Sequence, residues 1–265
     1  MAHSQTYLGY NTGQHMYVPA STSCNIITID INTASTTTTR KWQMKVTQYE
    51  CGNMMMPDNN CLQYHTASSG TIASFNWDTS ATTVAATQYH LSSQNYDICI
   101  RRARGYCSVC FSPQIHTTPA TAAASYGVSA AGDAGTPALQ NAVGSACTGV
   151  TTLNPAVASN SGYGDYLEIV GLQPGTGTTG TLDDNRICGT IWNAAAAPQT
   201  AAATACSWAV PFKVGVHFDQ DEAINAPPAP AYNLVENDVT GTAAAPTGAG
   251  YGYSGFYLAY WQNTC

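Results

Sequence analysis

Charged residues are scarce in this 265-residue chain. Lys and Arg number 8, Asp and Glu number 15, and the formal net charge is −7. Only 9% of the residues are charged, against about 25% in an ordinary soluble domain. So few cations in an acidic chain argue against nucleic acid and anionic membrane surfaces as partners. No apolar run approaches the roughly 18 residues of a membrane-spanning helix, so we expect no membrane span.

The chain also lacks the common catalytic signatures. Its 6 His are scattered, none forms a His-x-x-x-His pair, and no Gly-x-Ser-x-Gly turn is present. His65 and His90 lie beside strand-like segments, where packing on a strand face is the simpler role. We therefore predict that the protein is not an enzyme.

Cysteine, in contrast, is abundant. The 10 cysteines are spread over nearly the whole chain, which is typical of disulfide-bonded extracellular proteins. Zinc would need paired motifs, and Cys107 and Cys110 form the only Cys-x-x-Cys unit. A redox dithiol is the alternative for that unit, but no βαβ pattern surrounds it, so we favour two structural cysteines. We predict a secreted, extracellular protein. The first 25 residues contain no apolar signal segment, so we expect either a mature product or a record that lacks the true N-terminus.

Hydrophobic residues alternate with polar ones in several segments, which predicts half-buried strands. The content of 16 Tyr, 5 Trp and 5 Phe is enough to build a core. Alanine-, threonine- and glycine-rich stretches at about 112–163, 171–206 and 219–254 indicate long loops, with a short helix predicted from Thr136 to Val143. The sequence therefore predicts an all-β, two-sheet antiparallel β-sandwich of jelly-roll or immunoglobulin type. The predicted strands are Ile27–Ile31, Lys41–Tyr49, Tyr96–Arg101, Phe212–Phe218 and Phe256–Tyr260.

Residues 1–50 are predicted to form an N-terminal β-strand segment. Ile27, Ile29 and Ile31 alternate in one predicted strand, and Trp42 with Met44 alternates in another. About three strands cannot close a core of their own. They either extend the sandwich of the same molecule or complete a sheet in a neighbouring one. Low charge favours the second solution, so we expect a homo-oligomer, or a filament if the contact is head-to-tail.

Ten short blocks follow one another along the chain. They are Lys45–Cys51, Cys61–His65, Ser69–Asn76, His90–Leu91, Asn95–Arg101, Gly105–Cys107, Asp165–Ile169, Arg186–Gly189, Pro211–Phe212 and Gly255–Tyr260. In this order the blocks resemble the second CUB-type domain of secreted arthropod proteins that contain CUB domains. Asn11–Val18 is similar to the last part of a first CUB-like domain in the same proteins. The resemblance divides the chain into 1–50, the remnant of a first CUB-like domain, and 51–265, a CUB-like domain.

The resemblance implies two of the disulfides. Cys61 with Cys99 matches the first CUB bridge, and Cys147 with Cys188 resembles the second. The other six cysteines allow 15 pairings, among which the sequence cannot choose. Our guesses are Cys206 with Cys265, and Cys51 with either Cys107 or Cys110. We expect all or nearly all ten cysteines to be bridged.

The resemblance also implies a possible calcium site. Calcium-binding CUB modules use the Asp of an Asp-Tyr block and an Asp after a later strand, and Asp165 and Asp219 match these two positions. Asp221 stands close by and offers a third carboxylate. The upstream Glu of such modules has no clear counterpart here. The alternative is a solvated acidic loop, with Asp165 hydrogen-bonded within its turn. No other cofactor is expected.

Two functions remain open from the sequence. CUB modules are non-enzymatic and bind proteins or glycans, often through their loops, so the resemblance implies recognition of an extracellular protein or glycan. The alternative is a structural protein, a self-assembling subunit of an extracellular filament, matrix or cuticle-associated assembly, which low charge throughout would suit. The Tyr- and Gly-rich run Gly248–Tyr253 is either an aromatic binding loop or a flexible lead into the last strand.

Overall fold

The computed structural model describes strands and loops, with no α-helix among the described residues. The described residues are 9–20, 22, 24–29, 41–53, 55–57, 60–79, 90, 91, 93–114, 125–128, 141–143, 147, 165–175, 185–189, 191–195, 201–218 and 255–265. Within them, no helix is long and apolar enough to cross a membrane.

The strands form two sheets, which confirms the predicted all-β sandwich. The strands are β1 (Cys61–His65), β2 (Ser69–Ala73), β3 (Gln94–Ile100), β4 (Tyr106–Pro113), β5 (Tyr126–Gly127), β6 (Asn141–Val143), β7 (Tyr166–Glu168), β8 (Leu172–Pro174), β9 (Arg186–Gly189), β10 (Ala205–Ser207), β11 (Phe212–Phe218) and β12 (Gly255–Thr264). In sheet 1 the order is β1-β3-β11-β7-β9-β6, and in sheet 2 it is β2-β12-β4-β10-β8, with β5 paired to β12. β1 runs parallel to β3, and the other pairings among the described strands are antiparallel.

The core lies between the two sheets, where the alternating residues of the predicted strands meet. Phe212, Val214 and Val216 of β11 are buried while Lys213 is exposed. Trp192 is fully buried in this core, where its ring contacts those of Phe111 and Tyr126. Its indole Nε1–H donates to the carbonyl of Phe111 at 3.3 Å. The prediction of a short helix from Thr136 to Val143 is wrong for residues 141–143, which form β6 and pair with β9. The rest of that helix lies outside the described residues.

The connections sort into two ends of the sandwich. Four short loops, 66–68, 101–105, 169–171 and 208–211, each join one sheet to the other. The strand directions place all four at one end, because β1, β3 and β7 run towards it and β11 starts from it. We call this the short-loop end. The ends of β2, β4, β9 and β11 and the starts of β3, β7, β10 and β12 lie at the opposite, long-loop end.

Four disulfides tie the described strands together. Cys61 is bonded to Cys99 and Cys147 to Cys188, the two pairs that the resemblance implies. The guesses for the other cysteines are wrong. Cys206 is bonded to Cys110, which lies directly opposite it across the β10–β4 pair. Cys265 is bonded to Cys107, because the end of β12 lies beside the start of β4.

Cys51 and Cys24 depart from the expectation that all or nearly all cysteines are bridged. Both thiols are free and exposed, so Cys51 is bonded to neither Cys107 nor Cys110. Eight of the ten cysteines are therefore bridged, which leaves one pair of free thiols outside the sandwich strands.

The N-terminal segment also departs from its prediction. No strand forms in residues 24–29 or 41–50, and the side chains of Trp42, Met44 and Val46 are 56%, 56% and 73% exposed. Alternation shows that a segment could bury one face, but it does not supply the partner strand that burial requires. Ile31, the last residue of the first predicted strand, lies outside the described residues.

Residues 9–18 instead lie along the sandwich as an N-terminal strap. The Tyr17 N–H donates to the carbonyl of Leu62 in β1 at 2.7 Å. Nearer the start of the strap, the Tyr10 N–H donates to Asn76 Oδ1 and the Asn76 N–H donates to Asn11 Oδ1, both at 2.9 Å. This part of the segment therefore packs within its own molecule.

Candidate functional site

Asp165, the calcium candidate, lies at the long-loop end immediately before β7. Its Oδ2 is 3.3 Å from Nε2 of His90, and both side chains are almost fully buried. The His90 ring packs on Phe218 at a centroid distance of 4.1 Å. In this arrangement the carboxylate faces an imidazole inside the protein. His90 therefore takes the packing role that the sequence predicts, with its ring nitrogen beside the Asp165 carboxylate.

The other two calcium candidates, Asp219 and Asp221, lie outside the described residues. Within the described residues, no group of three or more His, Cys, Asp or Glu side chains could hold a metal ion. The loop Gly248–Tyr253 also lies outside the described residues, so its two interpretations stand as they were.

His65 lies in an aromatic cluster under the N-terminal strap. Its ring is 4.9 Å from that of His15 and 5.7 Å from that of Tyr260. Burial, aided by the neighbouring His15, lowers the pKa of His65 to about 4. Burial also lowers the pKa of His15, whose Nε2 accepts the Tyr64 N–H at 3.0 Å. Both imidazoles are thus neutral at pH 7 and serve packing, as predicted for His65.

The outer face of sheet 1 carries a row of charged and aromatic side chains that satisfy one another. Lys213 Nζ pairs with Asp97 Oδ2 at 2.8 Å. The Arg186 guanidinium lies 4.5 Å above the Tyr166 ring, which stacks on His217.

Glycine at position 215 leaves room for this row. A Cβ there would lie 2.9 Å from His217 Nε2, and that same Nε2 lies 3.3 Å from Glu168 Oε2. Burial lowers the pKa of His217, and Glu168 opposes the shift. The charged side chains of this face contact one another, so we do not expect them to form a binding site for a charged ligand.

The short-loop end is different, because apolar side chains are exposed there. Trp208, Val210 and Val170 are 54%, 56% and 55% exposed. They belong to two loops that are fastened together, since the Ser207 hydroxyl donates to the carbonyl of Val170 and accepts the Ala209 N–H. Large apolar residues grouped on a surface mark interaction sites more often than scattered ones do.

An open groove of about 230 Å³ is lined by two of these side chains, Val170 and Val210. The buried residues Val109, Ile169 and Phe212 also line it, as do the charged residues Glu168 and Lys213. The groove therefore joins an apolar floor to a polar rim, the composition that protein-binding surfaces show.

The loop between β3 and β4 adds a cluster of cations to the same end. Ile100 lies opposite Phe212 across the β3–β11 pair. Arg101, which follows Ile100, and Pro211, which precedes Phe212, therefore lie at the same end of sheet 1. Arg101, Arg102 and Arg104 are all exposed. This arginine loop, residues 101–105, holds three of the 8 cations of the chain within four positions.

Sequence reasoning missed this end of the sandwich. It assigned recognition to the long loops, most of which lie outside the described residues. A signal was present in the chain, because three arginines within four residues are conspicuous where only 9% of residues are charged. Trp208 carried no such signal, since a lone Trp in front of a strand is as often buried as exposed.

Comparison with known proteins agrees with the sandwich. Residues 58–263 match the family model of the animal CUB domain. No curated protein sequence matches the chain. Among solved structures, the full extracellular region of zebrafish Gpr126/Adgrg6 is similar at 13% sequence identity and a TM-score of 0.30, over 78% of this chain and 15% of that one. Because the family match covers most of the chain, this protein belongs to the animal CUB domain family.

Proposed function

We propose that this CUB-domain protein is a non-enzymatic, extracellular recognition module that binds a protein through its short-loop end. CUB domains are generally non-catalytic, and four disulfides suit an extracellular setting. The single observation that carries the proposal is the group of exposed apolar side chains at this end, Trp208, Val210 and Val170, of which the two valines line a groove.

The chemistry of this end favours a protein over a glycan as the ligand. Trp and Arg are the residue types that most often dominate the binding energy of protein interfaces. A half-exposed Trp208 beside an apolar groove gains most from burial against another apolar surface, at about 25 cal/mol per Å². Exposed valines add apolar area but no hydrogen-bonding group for a sugar hydroxyl.

The proposal is tested by a matched pair of variants on an array of purified extracellular proteins and glycans, probed with and without chelator. Trp208→Ser removes the proposed contact, and Trp42→Ser removes a Trp of almost equal exposure elsewhere, 56% against 54%. We expect protein ligands that Trp208→Ser loses by tenfold or more and Trp42→Ser retains. Ligands that are only glycans, or that ignore Trp208→Ser, would refute the proposal.

A second function, self-assembly, is supported by a separate observation. Trp42, Met44 and Val46 lie on an extended segment that forms no strand and are all more than half exposed. Such a segment can add to the sheet edge of a second copy. We propose that, if the protein forms an oligomer or filament, this segment makes the contact.

Sedimentation of the wild type and of a Trp42→Ser/Met44→Ser variant tests the second function. A large wild-type species that dissociates in the variant supports assembly through residues 41–50. A monomeric wild type, or assembly that the variant keeps, would exclude it.

A further inference from the structure

The arginine loop is held in one shape by hydrogen bonds to its backbone. The buried side-chain amide of Gln262 accepts the Ala103 N–H at its Oε1 and donates from Nε2 to the carbonyl of Arg101, both at 2.8 Å. The Tyr106 N–H closes the turn on the carbonyl of Ala103 at 3.2 Å. Three hydrogen bonds, one at Arg101 and two at Ala103, thus fix the backbone of the loop.

Cys265 and its disulfide anchor the same loop. The Cys265 N–H donates to the carbonyl of Gly105 at 3.1 Å, and Cys265 is bonded to Cys107 just beyond the loop. Gly105 has a φ of +84°, a left-handed conformation in which glycine is favoured. A loop fixed this firmly presents its side chains with little ordering cost when a ligand binds.

The arginines of this loop are not matched by acids of the described chain. No Asp or Glu among the described residues forms an ion pair with Arg101, Arg102 or Arg104, whereas Lys213 is paired with Asp97. Arg101 Nη2 donates to the backbone carbonyl of Thr66 at 3.2 Å, which leaves its charge uncompensated. Three like charges held together oppose one another, and a bound anion would remove that cost.

We infer that the arginine loop binds an acidic protein segment, with Arg102 and Arg104 as the principal carboxylate contacts. This inference rests on the proposed function, since it names the chemistry of the partner at the short-loop end. Guanidinium groups bind carboxylates through two parallel hydrogen bonds, which a rigid loop can orient. The exposed Trp208 and Val210 at the same end favour a polypeptide over an anionic polysaccharide.

The charge of the rest of the chain supports an orienting role for the loop. The formal net charge is −7, so an acidic partner is repelled in most orientations and attracted where the arginines lie. Attraction confined to one end selects the docking orientation and accelerates association at low salt.

A synthetic ten-residue peptide tests the inference. It carries four glutamates beside one leucine, and a matched peptide carries glutamine in place of each glutamate. Affinity is measured by fluorescence anisotropy at about 50 and 200 mM salt for the intact wild type and three variants. Arg102→Gln/Arg104→Gln changes the loop, and Lys41→Gln/Lys45→Gln removes the same charge from exposed residues elsewhere.

We expect the acidic peptide to bind the wild type and the lysine variant alike, and to lose about tenfold or more in affinity for the arginine variant, since charge-assisted hydrogen bonds are among the stronger ones. Salt should weaken the wild-type complex. Arg102→Lys/Arg104→Lys keeps the charge without the planar fork and should recover only part of the affinity.

Three outcomes of these affinity measurements would overturn the inference. They are equal binding of the glutamine peptide, equal losses in the arginine and lysine variants, and binding of a heparin oligosaccharide but not of the acidic peptide. A protein ligand that depends on Trp208 but not on the arginines would also refute it while leaving the proposed function intact. Self-association that the arginine variant abolishes would identify the occupant as a second copy of this chain and refute a separate partner.

Discussion

Acidification should destabilise the sandwich through His65. The pKa of this imidazole is about 4 in the folded protein, because burial and the nearby His15 disfavour its charged form, against an ordinary value of 6.5. The unfolded chain therefore binds more protons than the folded one between these two values, and stability falls as the pH falls through this window. At about 1.4 kcal/mol per pH unit, lowering the pH from 6.5 to 5 costs about 2 kcal/mol of the free energy of unfolding. Above pH 6.5 this contribution is fully present.

Urea unfolding followed by tryptophan fluorescence at pH 7.5 and pH 5 measures this effect. The wild type should lose stability between the two conditions by about 2 kcal/mol more than a His65→Asn variant does. The comparison isolates His65, because other titrating groups contribute to both proteins. If His65→Asn loses as much stability on acidification as the wild type, the imidazole is not buried as described and the reasoning fails.

Three further predictions concern the core, the arginine loop and calcium. Trp192→Ala should lower the free energy of unfolding by about 3–5 kcal/mol, since Trp192 is fully buried and donates to Phe111; a loss below about 1 kcal/mol in urea unfolding would contradict this packing. Gln262→Ala should speed amide hydrogen exchange in residues 101–105, because it removes both clamping hydrogen bonds; unchanged exchange would show that the clamp does not hold the loop. If Asp165 and the neighbouring acids bind calcium, a chelator should lower the midpoint of thermal unfolding by several degrees, and an unchanged midpoint would refute a calcium site.

Part of the fold could be predicted from alternation alone. The pattern in residues 212–218 predicts a strand with one buried face, and β11 has that face against the core. The same pattern failed in Lys41–Tyr49, where the apolar side chains are exposed. The difference is not local to either segment. A strand exists only where a neighbour supplies hydrogen bonds, and the sequence of one segment does not encode its neighbour.

The disulfides and the site show the same limit. Cys110 and Cys206 bond because β4 and β10 place them directly opposite, a register that only the folded sheet defines. The fold likewise brings Trp208 and the arginine loop to the same end of the sandwich, because β3 and β11 are adjacent. More than 100 positions separate the two in the sequence. The cysteine content predicted an extracellular chain, and the alternation of hydrophobic and polar residues predicted an all-β one. It could not predict which of the two ends would collect exposed apolar and cationic side chains.

The central claim is that the short-loop end of this CUB sandwich is its recognition surface. Hydrogen–deuterium exchange of the full chain, measured with and without the first protein ligand that the array identifies, tests it most directly. Our account predicts slower exchange on binding in residues 101–105 and 207–211. Protection confined to the long-loop end, at residues 125–128 and 191–195, with no change in either short loop, would contradict it.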